Sequence, residues 1–127
     1  MIVADSDVLI DALRGHAPVA ERIALELGSG ALATTAVTAF ELWSGAQSPR
    51  ALSQVRTLLS ALTVLPLDRE AADRAAEVRR DLEASGTPIG MADYLIAGIC
   101  LTRSAILLTR NRAHFERVTG LNLGRIS

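Results

Sequence analysis

Short apolar runs alternate along this chain with longer stretches in which apolar residues recur every three or four positions. Runs of the first kind suit strands buried on both faces, and stretches of the second kind suit helices with one inward stripe. The first run, Ile2-Val3-Ala4, stops at Asp5, and a short helix over 7–13 follows, closed by Arg14-Gly15. Pro18 opens a second helix over 19–27, ended by Gly28-Ser29-Gly30. A strand over 31–34 leads to a helix over 35–44, and Pro49 begins another whose Leu52, Val55, Leu58 and Leu59 form an inward stripe. A strand over 63–67, ended by Asp68, precedes the longest helix, 70–84, which is rich in alanine, glutamate and arginine and stops at Gly86. Beyond Pro88 the pattern predicts an apolar helix over 91–101, a strand over 105–109, a short helix over 113–116 and a last strand within 121–126. Strand and helix in alternation predict an α/β sandwich with a central, mostly parallel sheet of about five short strands covered by helices.

Composition narrows what such a sheet could serve. At 127 residues, half of them hydrophobic, the chain suits a single compact domain with a real core. No apolar run approaches the roughly twenty residues needed to span a bilayer, and no secretory leader pattern is present, so the expectation is a cytoplasmic protein away from membranes. The single cysteine, Cys100, sits in Ile99-Cys100-Leu101 and reads as a small buried hydrophobe. All 13 basic residues are arginine, which excludes a P-loop lysine and Schiff-base chemistry. A net charge of -1 argues against a general polyanion binder, yet Arg103, Arg110, Arg112, Arg117 and Arg125 crowd the last quarter as a local basic rim.

The acids carry the chemistry. Asp5 ends a buried strand, at the sheet edge where open α/β folds place ligands. One of Asp5, Ser6 and Asp7 suffices to cap the next helix, which leaves at least one acid over. Glu41 lies in Ala36-Val37-Thr38-Ala39-Phe40-Glu41-Leu42-Trp43 and shares a helical face with Val37, Thr38, Ser44 and Gly45. Either that face is solvated, or a cation offsets the cost of a lone carboxylate there. Asp93 is the only charged residue between Glu83 and Arg103. Interaction with its helix dipole explains it alone, at about 0.3–1 kcal/mol; taken with Asp5 and Glu41 it points to a shared metal. Asn111 follows the strand over 105–109 and falls on the same edge as Asp5, as a turn residue or a weak neutral ligand, with Thr109 placed to bond a carboxylate. His16 and His114 lack ligand spacing and read as surface histidines.

Three carboxylates and an amide describe a site for a hard divalent ion, magnesium or manganese. Such an ion activates water and offsets charge on a phosphodiester, so hydrolysis of that bond fits.

The blocks Val3-Ala4-Asp5-Ser6-Asp7-Val8-Leu9-Ile10, Thr38-Ala39-Phe40-Glu41-Leu42, Gly90-Met91-Ala92-Asp93-Tyr94-Leu95-Ile96-Ala97 and Leu107-Leu108-Thr109-Arg110-Asn111-Arg112-Ala113-His114-Phe115, in this order, carry a family likeness. The chain resembles PIN-domain ribonucleases and, among them, the VapC-type toxins of bacterial toxin-antitoxin pairs. The resemblance implies a PIN-like three-layer sandwich and magnesium, or manganese, held by Asp5, Glu41 and Asp93. It further implies RNA as substrate, often structured RNA of the translation machinery, a cognate VapB-type antitoxin and a homodimer. The family often has a fourth acid where Asn111 stands; Ser6, Asp7 and Thr109 would support the site, and Arg110 and Arg112 would steer the RNA backbone.

Other readings are a non-catalytic binding module of the same fold and a PIN nuclease of RNA processing outside toxin-antitoxin systems. A haloacid-dehalogenase phosphatase would use Asp5 and Asp7, but it wants Thr or Val where Leu9 stands, and a later lysine, which the chain lacks.

Overall fold

The computed structural model describes residues 1–126. Five strands form one sheet in the order β3-β2-β1-β4-β5, and every pairing is parallel. They are β1 (Ile2–Ala4), β2 (Leu32–Thr35), β3 (Thr63–Leu65), β4 (Ile106–Leu108) and β5 (Asn122–Leu123). Seven helices accompany them: α1 (Ser6–Leu13), α2 (Val19–Ser29), α3 (Ala36–Gly45), α4 (Pro49–Ser60), α5 (Arg69–Ala84), α6 (Met91–Thr102) and α7 (Arg112–Phe115).

The alternation of strand side chains divides the core in two. Val3, Ala33 and Leu107 face a cluster built with Ala71, Val78, Leu82, Ile96, Ile99 and Phe115, so α5, α6 and α7 cover that side. Ala4, Leu32 and Leu108 face the other way, against Val8, Leu9, Ile23, Leu42, Val55 and Leu58 of α1 to α4. The result is the three-layer sandwich expected, with the sheet wholly rather than mostly parallel.

Helix starts follow local chemistry. Thr35 accepts from the Thr38 amide, Ser48 from Ala51 ahead of Pro49, and Asp68 from Ala71, each satisfying a free amide of the first turn. Asp68 therefore caps α5 and does not end β3, which stops at Leu65. The predicted strand ends shrink similarly at β4 and β5. Leu52, expected in the inward stripe of α4, is exposed, whereas Val55 and Leu58 are buried.

Connections from β1 to β2 and from β2 to β3 run through α1 to α4 on one face, and the return from β3 to β4 runs through α5 and α6 on the other. The strand order therefore reverses between β1 and β4. At their carboxyl ends Ala4 pairs with Leu108, and the Asp5 amide donates to the Leu108 carbonyl at 2.9 Å. Such a switch point opens a crevice at the sheet edge.

Candidate active site

Asp5 and Thr109 are the next residues in register beyond Ala4 and Leu108, so the two central strands deliver them side by side. Both are buried. Asp5 Oδ1 accepts from the Ser6 amide at 2.8 Å, and Oδ2 accepts from the Thr109 hydroxyl, also at 2.8 Å. That hydroxyl oxygen accepts in turn from the Asn111 amide at 3.0 Å, so one threonine sets both the carboxylate and the turn into α7. Asp5 thus caps α1 through one oxygen, while the other is held by Thr109 at the sheet edge.

Burial, and then the neighbouring Asp7 charge, raise the Asp5 carboxyl from 3.8 to about 6, against the lowering effect of its bonds to Thr109 and Ser6. Glu41, on α3, is also raised, first by desolvation and then by Asp93 and Asp7, with the Ser6 hydroxyl acting the other way. Its Oε1 is shut off from solvent and meets no hydrogen-bond donor. Acids from α1, α3 and α6 thus share one electrostatic neighbourhood with little positive charge inside it. An orphaned carboxylate oxygen among like charges fits a cation with oxygen donors. Among the described residues no three acidic, histidine or cysteine side chains converge closely enough to ligate one ion, so an ion shared by all three acids would draw them inward.

Asp93 lies in the first turn of α6. Its Oδ2 is 3.3 Å from Asn111 Nδ2, so the β4 edge supports it as well. Asp7 accepts from the Arg110 amide at 3.3 and 3.2 Å, which latches α1 to the residue after Thr109. The Arg110 guanidinium grips buried Asp11 at 2.5 Å, and Arg112 donates to the Gly124 carbonyl at 2.8 Å. Both arginines keep exposed surface, and with Thr109, Arg125 and Ile126 they line a cleft of about 500 Å³. Glu41 also borders a second cleft of about 500 Å³, apolar, walled by Val37, Phe40, Leu67, Met91 and Leu95.

Two residues escaped the sequence. Asp11, which the sequence did not single out, is buried against Arg110, with His16 Nδ1 at 3.6 Å. His114, read as a surface histidine, places Nδ1 3.4 Å from Asp93 and 3.0 Å from Asn111. Its spacing of three from Asn111 was the available signal, but only the fold brings Asp93 to meet them.

Comparison with known proteins now decides the family. The PIN domain profile matches residues 2–121. The chain belongs to the PIN-domain family. The tRNA(fMet)-specific endonuclease VapC of Shigella flexneri is 32% identical to it over 121 residues, covering 92% of this chain and 91% of that protein. Ribonuclease VapC10 of Mycobacterium tuberculosis is 35% identical over 115 residues, covering 91% and 86%. The solved structure of DNA-bound VapBC from Salmonella typhimurium matches with a TM-score of 0.90 at 29% identity, covering 99% of this chain and 98% of that one. Within the PIN family this chain is a VapC-type ribonuclease of the toxin-antitoxin class. Among the described residues of this PIN domain no helix is long and apolar enough to cross a membrane.

Proposed function

We propose that this PIN domain is a magnesium-dependent ribonuclease, with manganese as the other hard ion, in which Asp5, Glu41 and Asp93 hold the ion and Asn111 supports it. The observation that carries this reading is Glu41 Oε1, buried without a donor in a neighbourhood where burial and adjacent acids raise Asp5 to about 6. A divalent ion bound there would supply a water able to attack at neutral pH and would offset charge on the RNA phosphodiester.

The protein's own groups orient and bind. Thr109 and the Ser6 amide fix both oxygens of Asp5, and Asn111 fixes Asp93. Asp7 adds negative charge beside them and ties α1 to the β4 edge through the Arg110 amide. The cleft of Arg110, Arg112 and Arg125 beside Thr109 suits the phosphates of an RNA backbone. Relatives named as specific for tRNA(fMet) favour structured RNA of the translation machinery, tRNA first, as the substrate. Solved VapBC complexes of like fold favour a cognate VapB-type antitoxin as partner. The exposed Phe40 and Met91 beside Glu41 suit a protein contact, either with that antitoxin or within a homodimer.

The test is cleavage of a tRNA pool by purified protein with magnesium or with EDTA, beside Asp93→Ala prepared identically. The expected outcome is discrete fragments with magnesium only, and a loss in the variant of at least about a hundredfold. Equal cleavage in EDTA, or by the variant, refutes the assignment.

A further inference from the structure

Asp93, Asn111 and His114 form a group that the three carboxylates do not account for. Asn111 Nδ2 lies 3.3 Å from Asp93 Oδ2 and 3.0 Å from His114 Nδ1, and that ring nitrogen lies 3.4 Å from the same Oδ2. An amide nitrogen carries two protons and satisfies both neighbours only by donating to each. With the ring proton on Nε2, His114 Nδ1 accepts from that amide. Two lone pairs, one nitrogen and one oxygen, converge on a single donor. With the ring proton kept on Nε2, a half-turn of the Asn111 amide that exchanges Nδ2 for Oδ1 leaves the three side chains presenting two oxygens and one nitrogen as acceptors.

Among the described residues His114 is the only basic side chain paired with Asp93. Arg110 is engaged with Asp11, and Arg112 with the Gly124 carbonyl and Glu116. Phe115, fully buried, anchors α7 and holds the neighbouring ring at the rim of the crevice. The side chains of His114 and Asp93 remain 43% and 20% exposed, which leaves an ion there open to water and substrate.

We propose that His114 Nδ1 is a ligand to a divalent ion held at Asp93, with Asn111 Oδ1 beside it, and that this nitrogen makes the site select manganese over magnesium. Imidazole suits transition metals, whereas magnesium takes oxygen ligands in a near-ideal octahedron and gains little from a ring nitrogen. The inference rests on Asp93 being an ion ligand, as proposed above, and it adds a donor and a preference that the carboxylates alone would not create.

The experiment is manganese binding to metal-free protein in the absence of RNA. Calorimetry gives the affinity, magnesium competition gives the preference, and pulsed electron paramagnetic resonance detects a ¹⁴N nucleus bound to the ion. The expected wild-type result is tighter binding of manganese than magnesium and a directly coupled nitrogen. In His114→Ala, and in His114→Gln, which keeps more of the side-chain volume, that coupling disappears and manganese affinity falls by about tenfold or more, with magnesium affinity unchanged. Manganese bound without nitrogen coupling, or a coupling that survives in both variants, overturns this inference and leaves the carboxylate site standing. A wild-type protein that binds neither ion overturns both.

Discussion

The contact between α5 and α6 and the carboxyl edge of the sheet are both buried, but they are buried by opposite means. At the helix contact, a Cβ on Gly98 would stand 2.5 Å from the Ala71 carbonyl oxygen, 2.7 Å from Ala75 Cβ and 2.8 Å from its amide. The two backbones touch, and the buried Ala71, Ala75, Ala97 and Ile99 surround the contact with apolar groups. At the sheet edge, Asp5 is almost fully enclosed beside Asp7, and Glu41 hides an oxygen that no donor meets. Shape complementarity stabilises the first region; like charge destabilises the second. A cost retained at one place in an otherwise consistent fold makes that place the candidate functional site.

Substitutions at the two regions should therefore separate stability from activity. The largest effect is expected from Asp5→Asn, which keeps the side-chain shape and removes the charge. Cleavage should fall by at least about a hundredfold, while urea unfolding at pH 7.5 shows a gain of about 1–2 kcal/mol. The sign follows from the raised carboxyl of Asp5. The folded protein holds that proton more tightly than the unfolded chain, so the stabilisation is complete below 3.8 and is lost as pH rises through about 6. The advantage of Asp5→Asn over wild type should accordingly grow between about pH 4 and 6 and level off above 7. A variant less stable than wild type at pH 7.5 would contradict the charge-crowding account.

Gly98→Ala should do the reverse. Overpacking there costs about 1–3 kcal/mol in urea unfolding, and the folded fraction should keep its cleavage rate and its ion affinity. A variant of unchanged stability would mean that α5 and α6 separate freely. The smallest effect is expected at the hinge of the comparison, Thr109, where an apolar environment serves the site. Thr109→Val preserves volume and removes the hydroxyl shared by Asp5 and the Asn111 amide. It should cost about 1 kcal/mol of stability, with roughly a tenfold fall in rate as Asp5 and the α7 turn lose their common anchor. A rate equal to wild type would remove Thr109 from the site.

Much of the fold was legible because local and global preferences agree. Pro49 at the start of α4 and the left-handed Gly86 after α5 act through their own backbone neighbours, and they placed helix ends within a residue or two. Leu52 was misread because a stripe gives the spacing of apolar residues on a helix but not the angle at which the helix meets the sheet. Asp5, Glu41 and Asp93 were visible as acids in apolar surroundings, and Asn111 as the polar residue after a buried strand. His114 and Asp11 were not, because each lies on a helix face where an ordinary solvated side chain would look the same.

The order of apolar and polar residues by itself determined that strands and helices would alternate, that the sheet would be mostly parallel, that Asp5 would follow a buried strand and that Thr109 would close another. Periodicity, caps and turn residues act within a few positions, and such information is written locally. Only the tertiary structure decided that β1 and β4 lie side by side with the strand order reversing between them, which bonds Asp5 to Thr109 across 104 positions of sequence. The same packing brought His114 to Asp93 and left Glu41 Oε1 without a donor. Those contacts depend on which elements pack together, a choice made by the whole core and carried by no single stretch of it.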